Sequence, residues 1–370
     1  MRLAIHIDGK SIRGNEVQSL LIARTMKEKG HAVVVACRKN GEVEARAREE
    51  GIEVAGVVPR GDGDFISALL FANWLKQGHF DVVLFTSWKK SFMASWAARV
   101  ARIPRVVLRV GGPHTIHSGA RGWKYRRALL RQVDSIICNS PGIAAALRNQ
   151  MPELPGDHVS VIMNGLDERA VETAVSRASL GVPDHAMHCV AVGGLDPGKG
   201  FDLLLDAVAK ANLPDLHLSI AGAGPEYNSL RELAEQLGIS QTVHLLGHRS
   251  DVREILAEAD VFVLSTRSDS IPVALLEAMA SGPSIVATDV PGVEEALSAR
   301  EGRVAAGWIV PVGDVSALAA TLRDVAIMHR GGDSTIHIKR TEAQWRITNW
   351  FSAGKMSDSV ERVLLATEEP

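Results

Sequence analysis

The chain is expected to fold as an α/β protein with two Rossmann-like, doubly wound parallel-sheet domains. Short apolar runs alternate with helical patterns, the alternation occurs in two successive halves, and 370 residues are long for one core and natural for two.

In the first half, strand-like runs lie at Leu3–Ile7, Ala32–Ala36, Val82–Phe85, Val106–Val110 and Ser135–Cys138. Continuous Val, Ile, Leu and Ala suit parallel strands covered on both faces. Glu16–Lys29 has a helical pattern and stops at Gly30, which can take the left-handed conformation past a helix end. Phe65–Lys76 reads as a helix capped by Asp64. The second half supplies strands at Cys189–Val192, Leu216–Ala221, Thr242–Leu245, Val261–Leu264 and Ser284–Ala287. The join falls in the polar segment Asp167–Asp184. This gives a domain over 1–168, a second over 185–330, and a helical tail over 331–370 with Trp345, Trp350, Phe351 and the amphipathic stretch Met356–Leu365.

A hydrophobic content of 46% and a charged content of 23% describe an ordinary globular protein. No apolar run approaches the roughly 18–20 residues that span a bilayer. Met1–Asp8 reads as an opening strand rather than a signal segment. Cys37, Cys138 and Cys189 lack metal-ligand spacing, and the first two read as packed thiols. A cytoplasmic location is expected. The net charge of −2 is unevenly spread. Residues 1–170 carry 25 Lys and Arg against 16 Asp and Glu, a net of +9, and the remainder carries 16 against 27, a net of −11. A basic half favours an anionic partner: a membrane surface, a phosphorylated acceptor or nucleic acid.

The turns after the strands carry the chemistry. In the first, Asp8–Glu16, Gly14 allows close backbone approach at a helix start. The corresponding turn of the second half, Val192-Gly-Gly-Leu-Asp-Pro-Gly-Lys-Gly-Phe-Asp202, places Lys199 in a Gly-rich loop before a helix, a cradle for a diphosphate. After Val261–Leu264 comes a loop with Asp269 and Ser270, then a helix opening near Ile271-Pro272, with Pro in its first turn, and running through Val273 to carry Glu277. Its unpaired first amides suit an anion, and carboxylates beside them suit hydroxyls, so the pair fits a phosphate attached to sugars. Gly222-Ala-Gly-Pro225 lacks the third Gly of a dinucleotide fingerprint, which discounts nicotinamide binding.

The Asp269–Glu277 stretch resembles the Glu-x7-Glu signature of retaining glycosyltransferases of family 4, which have the GT-B fold. Asp269 replaces the first Glu and Ser270 the Gly after it. The segment Gly193–Gly200 resembles that family's Gly-Arg-Leu…Lys-Gly, with Gly194 where the Arg usually stands. Gly247-His248-Arg249 resembles the turn beside the nucleotide base, and Arg13-Gly14-Asn15-Glu16 the early Gly-Gly-x-Glu, with Arg13 for the first Gly. Val161–Asp167 and Gly307–Asp314 are also similar to family segments, and Asn349–Leu365 to the closing helix that packs on the first domain.

The resemblance implies a nucleotide-sugar donor held mostly by the second domain and an acceptor hydroxyl held by the first, across a cleft that closes to exclude water. Lys199 is the implied cation for the leaving diphosphate, Asp269 the residue that orients the sugar, and Glu277 the ribose ligand. His114, near the end of Val106–Val110, is a substitute for the family's donor-sugar His; the alternative is a solvated loop residue. His248 and Arg249 either line the base or form an exposed turn. No cofactor beyond the nucleotide-sugar co-substrate is implied, and no metal. Asp62-Gly-Asp64 resembles the metal motif of the other large glycosyltransferase fold, but Asp64 is already accounted for as a helix cap.

The expected acceptor is a glycan or lipid-linked glycan of the bacterial-envelope type, as in polysaccharide or lipopolysaccharide synthesis, rather than a nucleic acid. Trp88–Met93 and Arg121–Arg131 mix cations and aromatics, which fits either a peripheral attachment to an anionic inner-membrane face or a solvated helix. Two rivals stay open: a non-catalytic GT-B subunit that binds nucleotide sugar or acts as a scaffold, and a sugar-nucleotide epimerase.

Overall fold

The structure, a computed structural model, describes residues 1–9, 11–59, 61, 63–87, 91–111, 127–167, 175–300 and 302–366. The chain divides into two compact units, Met1–Asp167 with Ser352–Pro370, and Glu168–Phe351.

The first unit holds a seven-stranded parallel sheet: β1 (Arg2–Ile7), β2 (Ala32–Cys37), β3 (Glu53–Ala55), β4 (Val82–Phe85), β5 (Arg105–Val110), β6 (Ser135–Cys138) and β7 (Val159–Val161), in the order β3-β2-β1-β4-β5-β6-β7. The second holds β8 (Met187–Val192), β9 (Leu216–Ala221), β10 (Val243–Gly247), β11 (Val261–Leu264), β12 (Ser284–Thr288) and β13 (Trp308–Val310), all parallel, in the order β10-β9-β8-β11-β12-β13. The expected strands are all present. The edge strands β3, β7 and β13 are additions, each of three residues, too short for a pattern to show.

Both sheets reverse strand order part-way, β1 beside β4 and β8 beside β11, as doubly wound folds do. In the first unit, Leu3, Ile5 and Ile7 face one apolar layer and Ala4, Phe71, Phe85 and Leu108 belong to the other. The period-two alternation of a strand feeds both. Asp64 caps Phe65–Gln77 by accepting from Ser67 N at 3.1 Å, and Gly30 takes φ 86° behind the helix Gly14–Glu28, as the sequence indicates.

The segment 331–370, expected as one tail on the first domain, is shared between the units. Helix Ser334–Trp350 belongs to the second and packs on Val273–Ser281, whereas Ala353–Leu365 belongs to the first and packs on Gly14–Glu28. The buried residues explain the split. Met356, Val360 and Leu364 enter the layer of Ile22 and Met26, and Glu342 and Arg346 are buried beside Arg303. All three cysteines are buried and free, and burial raises each thiol, Cys37 to about 11 and Cys138 to about 12.

Candidate active site

A parallel sheet leaves a crevice beyond its strands' carboxyl ends where the strand order reverses. In the second unit β8 runs into Gly193–Lys199 and the neighbouring β11 into Ser265–Asp269, so segments far apart in sequence emerge side by side. Lys199 Nζ donates to Asp269 Oδ2 at 2.5 Å. Their side chains are 28% and 20% exposed, so both reach solvent.

The loop bearing Lys199 is fastened to β11. Ser265 Oγ donates to Lys199 O at 3.1 Å, Thr266 Oγ1 to Gly198 O at 3.0 Å and Arg267 N to the same oxygen at 2.8 Å. The Arg267 guanidinium binds both Asp202 oxygens, at 2.7 and 2.6 Å, and Pro197 O at 2.7 Å. Gly200 follows with φ 65°, and a Cβ there would lie 2.2 Å from Ser265 O, so no other residue fits. Gly222-Ala-Gly224 is a packing turn. A Cβ on Gly222 would stand 1.8 Å from Gly193 O, and Leu195 N donates to Ala223 O at 3.0 Å. Gly194 is different: it is exposed, and a Cβ would meet only Asp196 Oδ2 at 3.4 Å and Ala223 O at 4.0 Å, so the site can accept a side chain.

The Asp269 loop is buried behind its carboxylate. Ser270 N donates to Asp269 Oδ1 at 2.9 Å, and Ser270 and Ile271 are covered by Gly292, where a Cβ would stand 2.6 Å from Ile271 Cγ1. Pro272 precedes the helix Val273–Ser281 as its N-cap instead of opening its first turn. The amides of Val273 and Ala274 have no acceptor inside the helix, which leaves an anion-binding end. Glu277 lies one turn further on and is half-buried. Burial pushes its carboxyl up to about 7, with Arg253 drawing it down and Glu254 adding to the rise.

Gly247 takes φ 68°, the following His248 is exposed, and the guanidinium of Arg249 is held by Asp251 at 2.7 and 2.5 Å. In the first unit Gly14 opens the helix Gly14–Glu28, and Glu16 Oε2 accepts from Arg13 N at 3.2 Å. His114 lies outside the described residues, as do Asp62, Trp88–Lys90 and most of Arg121–Arg131. Among the described residues no group of three or more His, Cys, Asp or Glu is placed to hold a metal.

Sequence reasoning missed Thr266, Arg267, Gly292, Asn15 and Arg109. Asn15 Nδ2 donates to Thr86 O at 2.8 Å, while Arg109 Nη1 donates to Asn15 Oδ1 at 3.0 Å and Nη2 to Asn164 Oδ1 at 2.5 Å. Burial lowers the guanidinium of Arg109 to about 10, still a cation at neutral pH. A lone Arg inside the run Val106–Val110 is the signal that could have found it.

Two family models match the chain: Glycosyltransferase Family 4 over residues 12–169 and Glycosyl transferases group 1 over residues 173–329. The chain belongs to glycosyltransferase family 4. A lipopolysaccharide core biosynthesis glycosyltransferase of Rhizobium meliloti, LpsE, is 32% identical over 200 residues, 54% of this chain and 56% of that one. The chain thus spans about half the length of that relative. A phosphatidyl-myo-inositol mannosyltransferase of Mycobacterium leprae is 28% identical over 323 residues, 84% of this chain and 82% of the relative. Anabaena HepE, solved in complex with UDP-glucose, superposes with a TM-score of 0.85 at 19% identity, covering 98% of this chain and 99% of that one. That likeness is one of fold, the GT-B pair of Rossmann-like domains.

Proposed function

We propose that the protein is a retaining, metal-independent glycosyltransferase that moves a sugar from a uridine diphosphate sugar to a hydroxyl of an envelope glycan or glycolipid. The contact between Lys199 and Asp269 at the β8/β11 switch point carries the reading. It puts a cation for phosphate and an acceptor for sugar hydroxyls within one ligand's reach of each other and of an anion-binding helix end. A part-exposed ion pair is worth only about 0–1 kcal/mol, so a donor can part it at little cost. The Lys199 ammonium and the Val273 and Ala274 amides then meet the charge growing on the leaving diphosphate, the contribution usually largest in such sites. Asp269 orients the sugar and Glu277 accepts from the ribose. The departing phosphate takes the acceptor's proton as the acceptor attacks from the same face, which leaves no step for a protein nucleophile. The uridine nucleotide is suggested by HepE, and the envelope acceptor by LpsE and the mannosyltransferase.

Gly194 and the shortened Asp269 favour a second reading, a nucleotide-sugar-binding subunit without turnover. Melting temperature against a panel of nucleotides and nucleotide sugars decides whether a donor site exists. A ligand at about 100 times its Kd stabilises the state it binds by about 2.7 kcal/mol. The expected result is a shift with uridine diphosphates that disappears in Glu277→Ala. Donor turnover or hydrolysis that falls about 10²–10³-fold in Lys199→Ala supports catalysis. Binding without turnover in the wild type selects the second reading.

A further inference from the structure

One side chain grips the turn that carries Lys199 at both of its ends. Arg267 Nη1 donates to Pro197 O, before Lys199, and to Asp202 Oδ1, after it, both at 2.7 Å. Nη2 closes the fork on Asp202 Oδ2 at 2.6 Å. Between these two points the chain has little with which to hold itself. Pro197–Lys199 is a single 3-10 turn, whose hydrogen bonds are poorly aligned by nature, and Gly200 takes φ 65° before the helix Phe201–Ala211.

Every carbonyl of that turn is committed to the segment after β11. Pro197 O takes Arg267 Nη1, Gly198 O takes Arg267 N and Thr266 Oγ1, and Lys199 O takes Ser265 Oγ. So held, these oxygens cannot swing toward an anion beside the Lys199 ammonium. The Lys199 stem lies against Gly193, where a Cβ would stand 3.6 Å from Cδ and 3.7 Å from Cε. The ammonium is therefore placed by the turn, and the turn by Arg267. Arg267 also stands two residues before Asp269, the carboxylate that Lys199 meets, so one residue indexes both. A planar guanidinium meets two carboxylate oxygens at a fixed angle, which an ammonium cannot do.

Stability does not account for the pair. The Arg267 side chain is 36% exposed and that of Asp202 44%, and ion pairs so exposed add little to a fold. With both terminal nitrogens on Asp202 and Pro197, the guanidinium is not a second cation for phosphate either. We propose that the Arg267–Asp202 clasp sets the position of Lys199 toward the leaving diphosphate, which makes Arg267 a positioning residue of the donor site. This rests on the diphosphate role of Lys199 proposed above. Gly194 gives the clasp its weight: where one cation stands in place of two, affinity depends on how well that one is placed.

The test is calorimetry of the full chain with UDP, and ligand-detected NMR with uridine, which carries no phosphate. The proteins are wild type, Arg267→Ala, Asp202→Ala, Lys199→Ala and Lys199→Ala/Arg267→Ala. Arg267→Ala and Asp202→Ala should each weaken UDP about tenfold, the scale of one charge-assisted hydrogen bond, with uridine binding and melting temperature close to wild type. In the Lys199→Ala background Arg267→Ala should cost nothing further, because a residue that acts through another has no effect without it. Wild-type affinity for UDP in Arg267→Ala, with affinity lost in Lys199→Ala, overturns the clasp and leaves the donor site standing. A loss in Arg267→Ala that Asp202→Ala does not share, or that adds in full to that of Lys199→Ala, also overturns it, because the guanidinium would then touch the nucleotide itself. So do equal losses of UDP and uridine with a lower melting temperature, which would mean that the pair holds the unit as a whole. A wild type that binds neither UDP nor uridine removes the donor reading, and the role of the clasp with it.

Discussion

At the level of single residues, Gly194 and Glu277 give the candidate site its sharpest tests. Gly194 lacks the family's second phosphate cation, and its Cβ position is open apart from the Asp196 carboxylate. Gly194→Arg should tighten donor binding about tenfold, since a charge-assisted hydrogen bond is worth about 1.5–3 kcal/mol. Calorimetry reads this directly, and unchanged affinity would mean that Asp196 has captured the new guanidinium. The ribose role proposed for Glu277 predicts pH-dependent binding. Its carboxyl, carried to about 7, would have to be ionised to accept from two hydroxyls, so donor affinity should fall as pH drops below about 7. In the free protein the sign is opposite. A raised carboxyl favours the folded state below its unfolded value, and that advantage is lost as pH rises through about 7. Glu277→Gln should therefore melt higher than wild type at pH 8, match it near pH 4, and bind donor weakly at every pH. Identical melting at pH 8 would show that the carboxylate is not desolvated.

At the level of elements, the helix Ser334–Trp350 explains the aromatic tail that the sequence displayed without a role. Arg346 is fully buried, with Nη1 on Ala296 O at 2.8 Å, Nη2 on Val304 O at 2.7 Å and Nε on Glu342 at 2.8 Å. Arg303 also binds Glu342, at 2.7 Å, and lies 3.4 Å from the Trp345 ring centroid, while Arg300 covers Trp350. Burial raises the Glu342 carboxyl, but the bonds from Arg303 and Arg346 outweigh it and hold it low. Glu342→Ala strands a buried cation and should cost about 3–5 kcal/mol in chemical denaturation. Replacing both partners with Met should cost much less; equal losses would show that the network acts through packing alone. That a helical tail follows residue 330 was legible in the sequence. The unit it joins was not, because a buried Glu–Arg pair at i, i+4 looks in sequence like a solvated one.

For the whole molecule, acid response follows from histidines enclosed in the two cores. Burial lowers His6 and His188 to about 4, and His6 has no hydrogen-bond partner on either ring nitrogen. Their unfolded forms take up protons below about 6.5 while the folded forms do not, so stability falls as pH drops from about 6.5 toward 4. Glu277 and Glu16 act in the opposite direction, but the neighbouring His217, His244 and His329 are lowered too, and the balance is loss in acid. Melting temperature should fall over that range, and His6→Phe, which fits the ring contacts to Phe71 and Phe85, should flatten part of the fall. A flat profile in wild type would contradict the buried, neutral state of these rings.

The sequence by itself determined the two parallel-sheet units, their longer strands and the capped helices, and it singled out Lys199, Asp269 and Glu277 as candidates, because each depends on local pattern and on turn chemistry within a few residues. Tertiary structure alone decided that Lys199 touches Asp269 and that Arg267 and Gly292 brace their loops. It also decided that Gly194 is open, and that the tail is shared between units. Those facts follow from which strands are neighbours. Strand order is set by burial of whole faces, a property that no short stretch of sequence contains.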